Sequence, residues 1–490
     1  MPNRIMTKDE RQYQSIMIWR DSKGRGTLNL TMRFGKTRIA KLISERVNDK
    51  HPNCKIIIIT PNDIVRKNAE DNMVVNSNTD IYTSNSYLEE CKSSRGIDDC
   101  TILIIDEIHK IINTQVYKYI KDINAKFKLG LTGAKLTDAN KSLLNDLGMP
   151  VIDLITEDEA LKNRWIASYV EYNLGIQLDN EDKVRYAKYS QLIIEVQELF
   201  KGSHNIINSA IGTKIFDTDF AVAMASFTGV KYTNPNTGKH VFIKPTLIRG
   251  VFAESMGWKK DLDLTYECNA RINELYNPDV LYERAKLFNK YIRQRNEILV
   301  CNRNKLNTAI AIIDRFKDKP CICFNESIEM ANMLYNHFDK SSIVYHSNIE
   351  PGYIINPKTG DYYRHKNGNP IYMGAVRIKK LAIEGIKDGT FKQLFTAKAL
   401  NEGVTIENIE LVITTGGDTN IDTHSQRRAR GLTIDYANPN KVCIVVNIFI
   451  DDFTIDDKLI PSRDKQKLKR RQANSSVEQI WVTDIEQIKK

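Results

Sequence analysis

The sequence predicts an α/β protein with two parallel-sheet lobes in tandem, joined through a mainly helical accessory insertion. Three observations lead there. The aliphatic runs Ile56–Ile59 and Ile102–Ile105 leave no polar face for water, so they read as strands buried on both sides of a parallel sheet. Such runs alternate with helically spaced segments over the first ~150 residues and again after about residue 300, the pattern of doubly wound sheets. Between them the alternation stops, giving expected domains at 1–170, 171–300 and 301–490.

Composition sets outer limits. A chain of 490 residues, 41% hydrophobic and 27% charged, is a soluble globular type with real cores. Its net charge of +10 and pI near 8.9 favour a polyanionic partner. No apolar run approaches the roughly 18 residues of a membrane span, and Met1-Pro2-Asn3-Arg4 lacks a signal peptide's apolar region, so an intracellular location and no membrane are expected. The eight cysteines are scattered, and Cys321 and Cys323 have no matching second pair, which favours reduced thiols over zinc.

Taken in order, the chain opens with Arg11-Gln12-Tyr13-Gln14 and an amphipathic helix. The Gln14 amide, both donor and acceptor, suits an adenine edge. Thr31-Met32-Arg33-Phe34-Gly35-Lys36-Thr37 then precedes helically spaced residues from Arg38. Backbone amides at a helix start and an adjacent lysine bind phosphate, and the Thr37 hydroxyl can ligate Mg²⁺. The match is partial, with Leu30 and Arg33 standing where glycines are usual. About seventy residues on, Asp106-Glu107-Ile108-His109 leaves the strand Ile102–Ile105. Such a pair can merely cap a helix, but behind a Gly-Lys-Thr loop it can divide the labour, Asp106 for Mg²⁺ and Glu107 for the attacking water. Lys55–Pro61, Asp80–Ser84 and Phe127–Ala134 supply the remaining strands of the first lobe.

In order and spacing these segments resemble the motor core of superfamily 2 helicases and translocases. Arg11-x-Tyr13-Gln14 matches the adenine motif, Gly35-Lys36-Thr37 motif I, Thr60-Pro61 motif Ia, Asp106–His109 a DExH motif II and Thr132-Gly133-Ala134 motif III. The Met32–Thr37 form is similar to that of Swi/Snf-type and phage helicases. The resemblance implies two RecA-like lobes, ATP and Mg²⁺ as cofactors, and nucleotide contacts from Arg11, Gln14, Gly35, Lys36, Thr37, Arg38 and Asp106. It also implies nucleic-acid contacts at Thr60, Pro61, Thr83 and Thr396. Coupling of nucleotide state to lobe movement would pass through His109, Thr132 and Gly133, with His109 reaching the second lobe at Gln426.

In the insertion, Asn234–Gly238 is a turn signal between Val230–Tyr232 and His240–Ile243, which predicts a hairpin. The second lobe starts near residue 301. Cys321–Phe324 with Asn325-Glu326-Ser327 resembles motif IV, Ala399–Ile406 with Gly403 motif V, and Ser425–Gly431 motif VI. By that resemblance Gly403, Gln426 and Arg427 contact nucleotide and Arg430 is the arginine finger. The usual second finger falls on Thr433 and the preceding glycine on Ala429, leaving Arg427 or Arg428 as substitutes, or a slow ATPase. A Gly/Pro/Asn-rich excursion spans 351–373, and Lys458–Arg471 forms a basic tail. The expected function is an ATP-dependent helicase or translocase of phage or viral type, on DNA rather than RNA. The alternatives are a double-strand translocase or remodeller, the motor of a restriction or defence complex, and a nucleic-acid-binding module with a decayed ATPase.

Overall fold

A computed structural model describes residues 6–93, 99–199, 232–233, 240–241, 278–338, 341–397, 406, 408–417, 420–434, 438, 440–473 and 477–489. The strands of the first lobe are β1 (Arg25–Leu30), β2 (Ile56–Thr60), β3 (Thr79–Thr83), β4 (Cys100–Ile105), β5 (Ala125–Thr132) and β6 (Val151–Ile155). They form one parallel sheet in the order β3-β2-β4-β5-β1-β6. Ile56–Ile59 and Ile102–Ile105 are fully buried, because helices cover both faces and leave no side for polar residues. Helices of this lobe start on capping side chains, such as Thr7 with Glu10 in a capping box, Asn62 and Thr137.

The second sheet draws on β7 (Ser168–Ile176), β10 (Cys321–Asn325), β11 (Ser342–Tyr345), β16 (Gln393–Ala397), β17 (Leu411–Thr414), β18 (Val442–Ile450) and β21 (Gln479–Val482). Its order is β11-β16-β10-β17-β18-β7-β21, again parallel. Two parallel-sheet lobes are therefore present as expected. The expected boundary at residue 170 is corrected, because it cuts through β7, which pairs with β18 from Ser168↔Val442 to Ile176↔Ile450. Glu171 and Asn173 disguise this strand in the sequence, yet both are fully buried and hydrogen-bonded.

Both sheets lie in one compact unit, Met1–Gln177, Arg303–Asp451 and Pro461–Lys490. A second unit takes Leu178–Asn302 with Asp452–Ile460, a hairpin of β19 (Phe453–Ile455) and β20 (Lys458–Ile460) recruited from far along the chain. In it the helices Asn180–Leu199 and Pro278–Val300 meet through Tyr189 and Tyr291, and Tyr186 packs edge-on to Phe453 at 5.7 Å. The short strands β8 (Tyr232–Thr233) and β9 (His240–Val241) pair antiparallel, and their turn at 234–238 lies outside the described residues.

The excursion carries β12 (Gly352–Tyr353), β13 (Ile355–Asn356), β14 (Asp361–Tyr362) and β15 (Tyr372–Met373) in two antiparallel pairs. The basic tail is in large part structural. Its helix Arg463–Gln472 buries Leu468, Arg471 and Gln472, and Asp464 pairs at 2.6 Å with the fully buried Lys305. No helix among the described residues is long and apolar enough to cross a membrane, and no disulfide joins the described cysteines.

Candidate nucleotide site

The strand order β2-β4-β5-β1 sets the C-terminal ends of the strands side by side, so Thr60, Asp106, Thr132 and the loop 31–35 face one edge of the sheet. Ligands of open α/β sheets bind there. The loop turns on a Phe34 N–H to Thr31 carbonyl bond of 3.3 Å, and Gly35 starts the helix Lys36–Lys50 with φ +106°. A side chain at Gly35 would collide with the Gln12 amide. Arg33 has φ +64°, the left-handed backbone that explains why glycine is usual at this place. Phe34 anchors the loop by burial and an edge-on contact with Trp165.

Lys36 Nζ donates to Glu107 Oε1 at 3.0 Å. Gly133 makes room for that ammonium, since a Cβ there would sit 2.7 Å from Lys36 Nζ. Glu107 occupies the left-handed region at φ +46°, which turns the chain sharply from β4 into the helix Ile108–Ile111 and aims its carboxylate at the lysine. Burial opposes ionisation of Glu107, but Lys36 and then His109 outweigh it and hold the carboxyl below its usual range. Asp106 is the contrary case, pushed up to about 6 by burial and by the neighbouring Glu107 charge. Glu107 is thus stabilised as the anion, while Asp106 lacks a sufficient cation of its own.

His109 Nδ1 lies 2.9 Å from Thr132 Oγ1, which ties the β4 end to the β5 end. Its Nε2 makes no hydrogen bond and stands 3.9 Å from Asp422 Oδ2 in the second lobe. The expected His109 to Gln426 link is corrected by this geometry. Asp422 lies one helical turn before Gln426, and Gln426 is half-buried without a hydrogen bond among the described residues.

The first helix, Lys8–Asp21, also departs from expectation. Gln14 is exposed and hydrogen-bonds to nothing described, whereas Gln12 is buried, donating to the Phe34 carbonyl at 2.6 Å and accepting from Arg38 Nη1 at 2.7 Å. Two residues along a helix turn a side chain to the opposite face, and the spacing to the apolar positions did not separate the two glutamines. Arg11 is not free for a base either, because its guanidinium is buried and grips Asp153 of β6 with bonds of 2.9 and 2.6 Å. Arg38 is exposed and paired with Asp9. The Thr37 hydroxyl, on the first turn of the loop helix, makes no hydrogen bond among the described residues.

In the second lobe the helix Ile421–Arg428 runs into a 3₁₀ turn, Ala429–Gly431, and Gly431 packs so closely on Cys443 that no side chain fits. Arg33 Nε donates 2.9 Å to the Ala429 carbonyl, so the turn bearing the buried Arg430 rests directly on the loop 31–35. Arg427 and Arg428 are committed elsewhere. Arg427 donates to the Gly416 carbonyl and stacks over Phe324 at 5.4 Å. Arg428 bridges the lobes, 2.6 Å from Glu157 Oε2 and 3.2 Å from Glu171 Oε2.

Glu171 also accepts from His424 Nε2, Asn447 and Gln472, all buried, at 3.0, 2.8 and 2.8 Å. Burial alone would raise the Glu171 carboxyl, and these donors with Arg428 pull it well below the usual carboxylate range. Burial lowers His424 to about 4 against the pull of Glu171, so it donates as a neutral imidazole. No motif reading found this network, because its members are spread over four separate segments.

The expected nucleic-acid contacts fare differently. Thr60, Thr83 and Thr396 are buried, with the Thr60 hydroxyl donating to the Tyr82 carbonyl and Thr83 capping the helix Ser84–Lys92. Their side chains are therefore not contact groups, and Pro61 is the partly exposed member of the set. Gly403 and the motif V segment 398–405 lie outside the described residues.

A cavity of about 1160 Å³ opens beside the loop, lined by Thr31, Met32, Gly133, Ser425, Arg428 and Ala429 among others. Lys36, Asp106 and Glu107 do not line it. No group of three or more His, Cys, Asp or Glu suited to a metal occurs among the described residues. A divalent cation at Asp106 and Thr37 would take its other ligands from phosphate and water, as Mg²⁺ usually does.

No protein-family model matches the sequence, and no curated protein matches it. Among the solved structures similar to this chain is the helicase domain of Hef from Pyrococcus furiosus. It is 15% identical with a TM-score of 0.46, over 95% of this chain and 99% of that one. Another is Dbp5 from S. cerevisiae bound to RNA and ADP BeF3, 10% identical with a TM-score of 0.49, over 96% and 89%. Neither likeness is close enough to carry residues across.

Proposed function

We propose that this protein is an ATP-dependent motor on nucleic acid, a helicase or translocase of superfamily 2 type with two RecA-like lobes. One observation carries the reading: the Lys36–Glu107 pair stands at the ends of β1 and β4, and the Arg430 turn is held against the same loop by Arg33. Backbone amides at the start of the loop helix and the Lys36 ammonium receive the phosphates. As the triphosphate draws Lys36 away, Glu107 is released to accept a proton from the water attacking the γ-phosphorus; ADP leaves and phosphate forms. Arg430 supplies positive charge to the transferring phosphoryl when the lobes close. Asp106 and Thr37 would hold Mg²⁺, which supplies electrostatic neutralisation of the phosphates when bound. Gln12, between loop and helix, takes the adenine-sensing role first expected of Gln14. Lobe closure and reopening, passed through His109, Thr132 and Asp422, changes grip on the polymer.

The test is steady-state ATP hydrolysis with no polymer, single-stranded DNA, duplex DNA, forked DNA and RNA, for wild type and Glu107→Gln. Stimulation by one polymer, with DNA the expected track, and its loss in the variant support the motor. A second reading, a binding module with a decayed ATPase, is favoured by Thr433 in place of a second finger while Arg427 and Arg428 are held by other partners. Salt-sensitive polymer binding with no hydrolysis under any condition would select it.

A further inference from the structure

Three tyrosines stand on the outer side of the 351–373 excursion, and nothing in the ATP site uses them. Tyr353, Tyr362 and Tyr372 are 52%, 43% and 60% exposed. They form one aromatic patch: Tyr353 and Tyr372 are cross-strand partners with ring centroids 5.3 Å apart, and Tyr362 lies 5.7 Å from Tyr353. The patch is not the rim of a core, because strand alternation separates the two sides. Ile371 and Met373, flanking Tyr372, are buried inward, as is Ile349. A turn needing only solubility would not gather three rings on its wet side, where they leave apolar surface in water.

The scaffold beneath is ordered by its own hydrogen bonds. The Tyr363 N–H reaches the Ile354 carbonyl at 3.1 Å, and the Ile371 N–H the Tyr363 carbonyl at 2.7 Å. Around the rings the excursion carries Lys358, Arg364 and Lys366 against the single carboxylate Asp361, which is paired with Arg364. Lys358 and Lys366 are exposed at the two tips, and Arg377 and Lys380 follow on the next helix, Ala375–Lys387. The excursion leaves the sheet at the C-terminal end of β11, where Tyr345 lies in register with Thr396 of β16. Ligand-binding loops of parallel sheets gather at that end.

We infer that Tyr353, Tyr362 and Tyr372 form a stacking platform for the bases of an unpaired polynucleotide strand, with the tip lysines on its phosphates. The rings select a single strand because duplex bases already stack on one another, and stacking tolerates any sequence. This deepens the nucleic-acid reading and rests on it, but the measurement can fail independently of that reading.

The experiment is fluorescence anisotropy of the full chain, without ATP, on oligodeoxythymidylate, oligouridylate and a blunt DNA duplex across a salt series. It compares wild type, Tyr353→Ala/Tyr372→Ala, and Tyr353→Phe/Tyr372→Phe, with circular dichroism to confirm the fold. The alanine pair is expected to raise the single-strand Kd about tenfold or more, since each base stack is worth roughly five- to a hundredfold. Duplex affinity and the salt slope should stay near wild type, and the phenylalanine pair, which keeps the rings, should restore binding. Folded alanine variants that bind both single strands like wild type overturn the inference, which is also the result if the patch serves a protein partner. An equal loss on the duplex overturns it as well. ATP hydrolysis that no polymer stimulates would instead overturn the motor and leave the tyrosine dependence of binding standing.

Discussion

Lys36 Nζ lies 3.0 Å from Glu107 Oε1, with only 13% and 17% of the two side chains exposed. The residue that would hold a phosphate is thus paired with the one that would take the water's proton. Glu107→Gln keeps the size and the hydrogen bond and removes the basicity. It should lower kcat by about 10²–10⁴-fold while nucleotide affinity stays within a few-fold, read by hydrolysis and by titration with a fluorescent ATP analogue.

Lys36→Ala leaves Glu107 without its main cation. Breaking a fully buried pair costs about 3–5 kcal/mol, and the residual exposure here reduces the expectation to about 1–3 kcal/mol. Chemical denaturation should show that loss, and the added change Glu107→Gln should recover most of it. A double-mutant cycle with no coupling would contradict the pairing.

Gln12 and Gln14 make an internal control. Gln12→Ala removes a bond to the Phe34 carbonyl and one of the partners of Arg38, and should weaken ATP binding about tenfold by loosening the loop. Gln14→Ala, on the exposed face, should leave binding within twofold of wild type.

Arg33→Gly separates side chain from backbone. The left-handed φ of +64° suits glycine, and the relieved strain roughly cancels the entropy gained by the unfolded chain, so stability should change by under about 1 kcal/mol. The bond to the Ala429 carbonyl is lost. The expected result is a fall in kcat of about tenfold or more, without a matching rise in KM. Unchanged kcat would show that Arg33 does not help seat the Arg430 turn.

The Glu171 network predicts acid lability. His424 titrates near 4 in the fold and near 6.5 unfolded, so its stabilising contribution is full above about pH 6.5 and is lost as pH falls toward 4. Glu171, depressed below its unfolded value, adds a loss in the same direction at still lower pH. Tm should therefore fall steadily from about pH 6.5 downward, and His424→Gln, which keeps a donor but does not titrate, should flatten that slope between pH 6.5 and 4. An unchanged slope would exclude His424 as its source.

Local features of the chain were legible before any coordinates. Strands made only of isoleucine and leucine must be covered on both faces, so Ile56–Ile59 and Ile102–Ile105 announced a parallel sheet. Gly35, Lys36 and Thr37 open a helix because glycine takes the φ of +106° at its start without steric cost. Asp106 and Glu107 follow their strand for equally local reasons. Less legible was β7, whose Glu171 and Asn173 belong to a buried network assembled from residues up to 301 positions apart. The exposure of Gln14, the burial of Thr60, Thr83 and Thr396, and the commitment of Arg427 and Arg428 were likewise hidden.

The sequence by itself determined the periodicities, turns and adjacent chemical groups, since these depend on neighbours within a few bonds. Tertiary structure decided the rest: that β1, β4 and β5 would align the Gly35-Lys36-Thr37 loop, the acid pair and Thr132, that Gln12 rather than Gln14 would touch the loop, and that Asp422 would meet His109. The reason is geometric. Strand order and the facing of a helix arise from burying all apolar faces at once, and no single segment encodes which distant partner completes its burial.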